Sequence, residues 1–221
     1  MKRPLLCLMA IAVLLIGAIP ADADVMTTSL GNVSPFADGH LPNLLFEVLP
    51  AQLGQPVPFD QGYGADPILD FAVSWTFSYP APTGPITAAS ITVGVLDHDS
   101  ASPGSQLASF NVDSTDVAAA LDAAFEGHGG ASNEYNEYTI GLPAGAFPAL
   151  VDGTALVSLT LQGPVLTPPL FPGPLVQEPN NGAHIFFSTL QVTYVPEPST
   201  FVLLTMGVCG MVSGRWRRKR A

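Results

Sequence analysis

Ile68-Leu69-Asp70-Phe71-Ala72-Val73-Ser74-Trp75-Thr76-Phe77-Ser78-Tyr79 carries its large apolar residues at every second position. Phe71, Val73, Trp75 and Phe77 point one way and Ala72, Ser74, Thr76 and Ser78 the other, the signature of a strand with one buried face. Runs of the same kind recur at 86–96, 106–112, 135–142, 154–162 and 183–195, divided by Gly and Pro. Within 154–162, Leu156, Ser158 and Thr160 alternate with Val157, Leu159 and Leu161. Within the last run, Ile185, Phe187, Thr189 and Gln191 alternate with Phe186, Ser188, Leu190 and Val192. Half-buried strands of two packed sheets produce this pattern, so the expected fold is all-β, a jelly-roll-like β-sandwich.

One helix interrupts the strands. Ser114 or Thr115 reads as its N-cap, Asp116 lies in its first turn, and Val117, Leu121 and Phe125 recur every fourth residue before Gly127. Its expected role is to cover one open end of the sandwich. Residues 164–179 are too rich in proline for helix or ladder and read as a long extended loop.

Charge is distributed in an unusual way. All seven Lys and Arg lie at Lys2, Arg3, Arg215, Arg217, Arg218, Lys219 and Arg220, whereas all but Asp22 and Glu197 of the 18 acidic residues lie between them in the body of the chain. A region with no Lys or Arg and a formal charge near -16 cannot neutralise phosphates, which excludes nucleic acid and the usual phosphate clamps. Its carboxylates must be solvated, bound by backbone N–H groups, or neutralised by cations or by His40, His98, His128 and His184.

The basic residues belong to the two ends. Lys2 and Arg3 precede an apolar stretch from Leu5 to Ile19, then Pro20 and the small-x-small site formed by Ala21 and Ala23. This reads as a signal peptide, residues 1–23, cleaved by signal peptidase. At the other end Val195-Pro196-Glu197-Pro198 is followed by an apolar segment, 201–214, and the basic cluster Arg215, Arg217, Arg218, Lys219 and Arg220. A run of about 14 residues spans only about 20 Å as helix against a hydrocarbon core of roughly 30 Å, which suits a temporary transmembrane anchor. The basic cluster would be retained on the cytoplasmic side. Both cysteines, Cys7 and Cys209, fall in these targeting segments, so the intervening domain, 24–194, must be held together by its core rather than by disulfides.

The order Pro-Glu-Pro, short membrane segment, Arg-rich end resembles the PEP-CTERM sorting domain of Gram-negative bacteria that make extracellular polysaccharide. The resemblance covers residues 195–221. It implies recognition by a membrane protease-transpeptidase, exosortase, with cleavage at or near Pro196-Glu197-Pro198. The upstream domain would then pass from an inner-membrane precursor to the envelope, outer surface or medium. Proteins sharing this tail carry many unrelated upstream domains, so the resemblance transfers sorting and nothing catalytic.

Two polar groups stand out in the exported domain. Asp97-His98-Asp99-Ser100 ends a strand, and Asp97 and Asp99 could offer oxygen ligands to Ca²⁺, which takes 6 to 8 of them. The plainer reading is a turn whose Asp side chains bond to backbone N–H groups. Glu126, His128, Glu134, Tyr135, Glu137 and Tyr138 follow the helix in a Gly-rich loop. Paired carboxylates there could hydrolyse a glycoside and exposed tyrosines could stack on sugar, or the group is a solvated hairpin edge. The domain offers no Cys nucleophile, no Gly-x-Ser-x-Gly and no His spacing suited to zinc.

The expectation is therefore a non-enzymatic surface or matrix protein with a structural or adhesive role associated with exopolysaccharide. A carbohydrate-binding module and a secreted glycan-active enzyme are the alternatives. The module calls for exposed aromatics, the enzyme for two carboxylates converging in a cleft, and a structural protein for neither.

Overall fold

The computed structural model describes residues 22–65, 69–99, 104–128, 131, 133–163 and 180–196. The chain divides into two compact units, one of them Val25–Pro82 with Ile86–Thr193 and the other the two chain ends with Thr83–Pro85. In the second unit the described contacts are a Val195 N–H bond to the Pro85 carbonyl at 3.1 Å and a Tyr194 Oη bond to Asp24 Oδ2 at 3.1 Å. Residues 1–21 of the expected signal peptide, Glu197 onward and the Pro-rich stretch 164–179 lie outside the described residues. Among those described, no helix is long and apolar enough to cross a membrane.

Among the described residues, nine strands form two antiparallel sheets: β1 (Asp24–Gly31), β2 (Gly62–Tyr63), β3 (Ala72–Ser78), β4 (Ile86–Leu96), β5 (Leu107–Val112), β6 (Thr115–Asp116), β7 (Tyr135–Gly141), β8 (Thr154–Leu161) and β9 (Ala183–Tyr194). One sheet has the order β1-β9-β4-β7, with β2 also pairing β9, and the other β3-β8-β5-β6. Leaving the two-residue β2 aside, the pairs are nested: β5 with β6, then β4 with β7, β3 with β8, and β1 with β9. A long hairpin folded over so that successive pairs fall alternately in the two sheets has this connectivity.

Alternation sets which side chains meet. Phe71, Trp75 and Phe77 are buried and Ala72, Ser74, Thr76 and Ser78 exposed, as the pattern predicts, and Leu159 is buried opposite both Val73 and Phe110. The inward residues of both sheets, among them Phe77, Phe110 and Leu159 from one and Ile91, Val93 and Ile140 from the other, belong to a single hydrophobic cluster. The strict alternation expected for 183–195 fails in β9. Phe186 and Phe187 are both buried, because β9 is an interior strand and its Phe pair joins a second cluster with Val48, Leu96 and Tyr135. Gly94 lies beneath that cluster, where a Cβ would meet the Phe187 ring at 2.4 Å.

The expected helix is present as Ala118–His128, with Val117, Leu121 and Phe125 buried, and it packs against one strand of each sheet, β5 and β7. Its start differs from the expectation. Thr115 and Asp116 are paired with Val112 and Asn111 as β6, and it is Asp116 Oδ1 that accepts the Ala118 N–H at 2.9 Å. Three helical segments were not expected: a π-helical turn, Leu44–Val48, that runs into α1 (Leu49–Gln52), and a 3₁₀ helix, Ala144–Asp152. With α1 named, the long helix Ala118–His128 is α2.

Candidate functional site

Four chain segments, separate in sequence, border an open cleft of about 410 Å³, within the range of small-ligand sites, roughly 300–1,000 Å³. The π-helical turn and α1 supply Leu44 and Leu49, β2 and the residues after it supply Tyr63 to Ala65, and the end of β4 with the start of β9 supply Asp97 and Gly182 to His184. The turn at Leu44 is anchored from both sides by a reciprocal cap. Asn43 Oδ1 accepts the Leu45 and Phe46 N–H groups, and Glu47 Oε2 reaches back to the Asn43 N–H at 2.7 Å.

His184 is oriented by a buried glutamine. Gln52, 1% exposed, donates through Nε2 to the carbonyls of Gln61 at 3.1 Å and Ile185 at 3.4 Å, which turns its Oε1 toward His184 Nδ1 at 2.8 Å. His184 therefore donates from Nδ1 and carries a lone pair on Nε2. Burial lowers its pKa, so it is neutral at pH 7. Gly62 faces His184 across the β2–β9 pair, and a Cβ there would stand 2.6 Å from the ring, so only glycine lets the imidazole lie where it does. Tyr63 packs edge-on against Phe71 at 6.2 Å and its hydroxyl donates to Asp60 Oδ1 at 3.2 Å.

Asp97 borders the cleft, while His98 beside it is buried in the core. Asp97 and Asp99 both have left-handed backbones, φ 59° and 56°, and Asp97 Oδ1 accepts the Asn133 N–H at 3.0 Å. The backbone N–H that Asp97 Oδ1 binds thus lies 36 positions away and not within its own turn. No three His, Cys, Asp or Glu side chains among the described residues stand close enough to hold a metal ion. His98 is 1% exposed, wedged between Phe125 and Tyr138, with its carbonyl held by Asn181 Nδ2 at 3.2 Å.

The second polar group assembles around a residue that sequence reasoning missed, Asp38. Its Oδ2 meets His128 Nε2 at 3.1 Å and its Oδ1 accepts the Glu137 N–H at 2.8 Å. Burial pushes the Asp38 carboxyl up, but the Glu137 N–H and the His128 ring together outweigh it and hold it below the usual carboxylate range. Glu134 accepts from Asn136 Nδ2 at 2.8 Å and from the Ala131 N–H at 2.9 Å, which lower its pKa in that order. Glu137 accepts the Tyr135 hydroxyl at 2.8 Å. Glu126 is exposed. Tyr135 and Tyr138 are 0% and 3% exposed, so both are core residues and neither is the exposed sugar platform that was one of the two alternatives for this group. The group is a knot tying the β1–β2 segment to β7 and α2.

Large apolar side chains of the π-helical turn and of the residue after α1 are exposed, Phe46 at 80% and Leu53 at 83%.

Among known families, residues 195–219 match the PEP-CTERM protein-sorting motif. The chain therefore carries this sorting motif, and the motif implies an exported, membrane-anchored precursor processed by an exosortase. No curated protein matches the chain.

Proposed function

We propose that this is an exosortase-sorted protein whose acidic body, a β-sandwich of jelly-roll type, serves a structural or adhesive role at the cell surface or in an exopolysaccharide matrix. The observation that carries this reading is the junction at residue 194: β9 ends at Tyr194 and the sorting motif begins at 195. Cleavage near Pro196-Glu197-Pro198 would release the strand-built body without cutting a strand. The nested pairing β1·β9, β3·β8, β4·β7 and β5·β6, with one core lined from both sheets, supports the jelly-roll description. Signal peptidase would act after Ala23, directly before the first residue of β1, Asp24.

A binding role is favoured over catalysis because, among the described residues, a single carboxylate, Asp97, borders the cleft, and glycoside hydrolysis ordinarily uses two. That makes a carbohydrate-binding module the second reading.

Intact mass tests the sorting step. The wild-type protein recovered from envelope and medium of a host with exosortase should end near Pro196, with or without an added group, and a variant with Pro196, Glu197 and Pro198 replaced by Ala should keep its tail. A tail intact through Ala221 in both would make the chain a plain anchored protein.

A further inference from the structure

β3 ends one of the two sheets, with β8 on one side and, among the described residues, no strand on the other. The Leu161 N–H donates to the Phe71 carbonyl at 2.9 Å and the Tyr79 N–H to the Gly153 carbonyl at 2.8 Å, which fixes the phase of the ladder: odd positions bond toward β8. Ala72, Ser74, Thr76 and Ser78 therefore aim their backbone N–H and C=O groups at the open side, and all four residues are exposed.

Open edges are ordinarily guarded by charge, proline, a bulge or a covering segment. β3 contains no charged residue and no proline, and it pairs with β8 from Ala72 to Ser78 without a register shift. The other edges differ. On β7 the Tyr135 N–H is bonded to the His40 carbonyl and the Glu137 N–H to Asp38. β6 is two residues long, and β1 opens on the carboxylate of Asp24.

Charge and register together select the occupant. Two copies of a body with formal charge near -16 and no Lys or Arg repel wherever their carboxylates meet, but β3 and its neighbour β8 form a strip with none. The strand is also self-complementary. Run antiparallel to itself about Trp75, it sets Ser74 opposite Thr76 and Ala72 opposite Ser78 of the other copy, so that each outward N–H meets a carbonyl. The protein already joins its own strands through such hydroxyl pairs in exposed positions, Ser29 with Thr189 and Thr92 with Thr139, both at 2.8 Å. We propose that β3 pairs with β3 of a second copy about a two-fold axis at Trp75, joining the two four-stranded sheets into one continuous sheet. This interface goes beyond the sorting and surface reading and does not rest on it.

Sedimentation velocity of the full chain in detergent micelles tests the association. The wild type should form a dimer whose fraction rises with protein concentration and with NaCl, because salt screens the repulsion between the two acidic bodies. Thr76→Pro removes one outward N–H from each copy and leaves the bonds to β8 in place, at a position where edge strands accept proline. It should weaken association by at least about tenfold. Disulfide trapping reads the register even where that variant fails to fold. With Cys7 and Cys209 replaced by Ser, a mixture of the Ser74→Cys and Thr76→Cys chains should cross-link, because hydrogen-bonded opposite residues have Cα atoms about 5.5 Å apart, within disulfide reach. Either variant alone should cross-link at least about tenfold more slowly, since like positions are diagonal neighbours roughly 7–8 Å apart. A monomer at every concentration overturns the proposal. So does a dimer that a folded Thr76→Pro chain keeps, or one in which the mixture traps no faster than the single variants, since either result would place the contact on another surface or in the tail.

Discussion

His98 Nε2 stands 2.7 Å from Tyr138 Oη in the core, and the Phe125 ring lies 4.6 Å from each of their rings. His98 Nδ1 is buried with no hydrogen-bond partner among the described residues. Burial first, and then the proximity of His128, lower the His98 pKa from the ordinary 6.5 to about 3. The unfolded chain therefore takes up a proton near pH 6.5 that the folded one refuses. Stability is complete above that pH and falls as pH drops toward 3, by at most about 1.4 kcal/mol per pH unit for one such group. His184, also lowered by burial, acts with the same sign. Urea midpoints should decline between pH 7.5 and 5, and His98→Phe should make that decline shallower. An unchanged slope in the variant would show that His98 is not the group responsible.

Asp38 bridges the β1–β2 segment to β7 and α2 through the Glu137 N–H and His128. The ion pair is half in solvent, so it contributes little, about 0–1 kcal/mol. The bond to the Glu137 N–H adds on the order of 1 kcal/mol. Asp38→Ala should therefore cost about 1–2 kcal/mol by chemical denaturation. Asp38→Asn, which keeps an acceptor but not the charge, should recover more than half of that. Equal losses in the two variants would assign the effect to the ion pair alone.

Much of the fold was legible because alternation and turn residues are local signals. The six strands read from sequence correspond to β3, β4, β5, β7, β8 and β9, and Val117, Leu121 and Phe125 are the buried face of α2 as read. β1 was missed because Asp24-Val25-Met26-Thr27-Thr28-Ser29-Leu30-Gly31 is a sheet-edge strand with no fully buried residue to give it a pattern. The turn at Leu44 did carry a signal, Asn43 followed by Glu47, which goes unread when proline-rich flanks suggest loop. The cleft was illegible for a different reason. Gln52, Tyr63, Asp97 and His184 share no spacing, and only the β2–β9 pairing and the Gln52–His184 bond, 132 positions apart in sequence, bring them together.

Parity in β8 can be tested directly. Leu159 is fully buried between Val73 and Phe110, whereas Leu156, on the same strand with opposite parity, is 51% exposed. Leu159→Ala should cost about 2–5 kcal/mol through lost transfer energy and a residual cavity. Leu156→Ala should stay within about 0.5 kcal/mol. Comparable losses would mean that both faces of β8 are covered.

Calcium should act on this protein only as a screening ion. Asp97 Oδ1 is engaged by the Asn133 N–H, and no cluster of three ligating side chains stands near it or Asp99 among the described residues. Millimolar Ca²⁺ and NaCl at matched ionic strength should therefore raise the melting temperature equally. A larger rise with Ca²⁺ that Asp99→Asn abolishes would restore these two carboxylates as metal ligands.

Trypsin offers the simplest check on where the mature protein begins and ends. The enzyme cuts after Lys and Arg, and every such residue lies at positions 2, 3 or 215–220. A protein trimmed after Ala23 and near Pro196 contains no cleavage site, so it should survive trypsin intact even when fully denatured, where folding gives no protection. Chymotrypsin, which cuts after aromatic residues, should degrade the same denatured sample at sites such as Phe71, Trp75 and Phe77. Loss of a small C-terminal fragment to trypsin would show that the basic cluster is still attached, and the size of the shift would locate the uncut end.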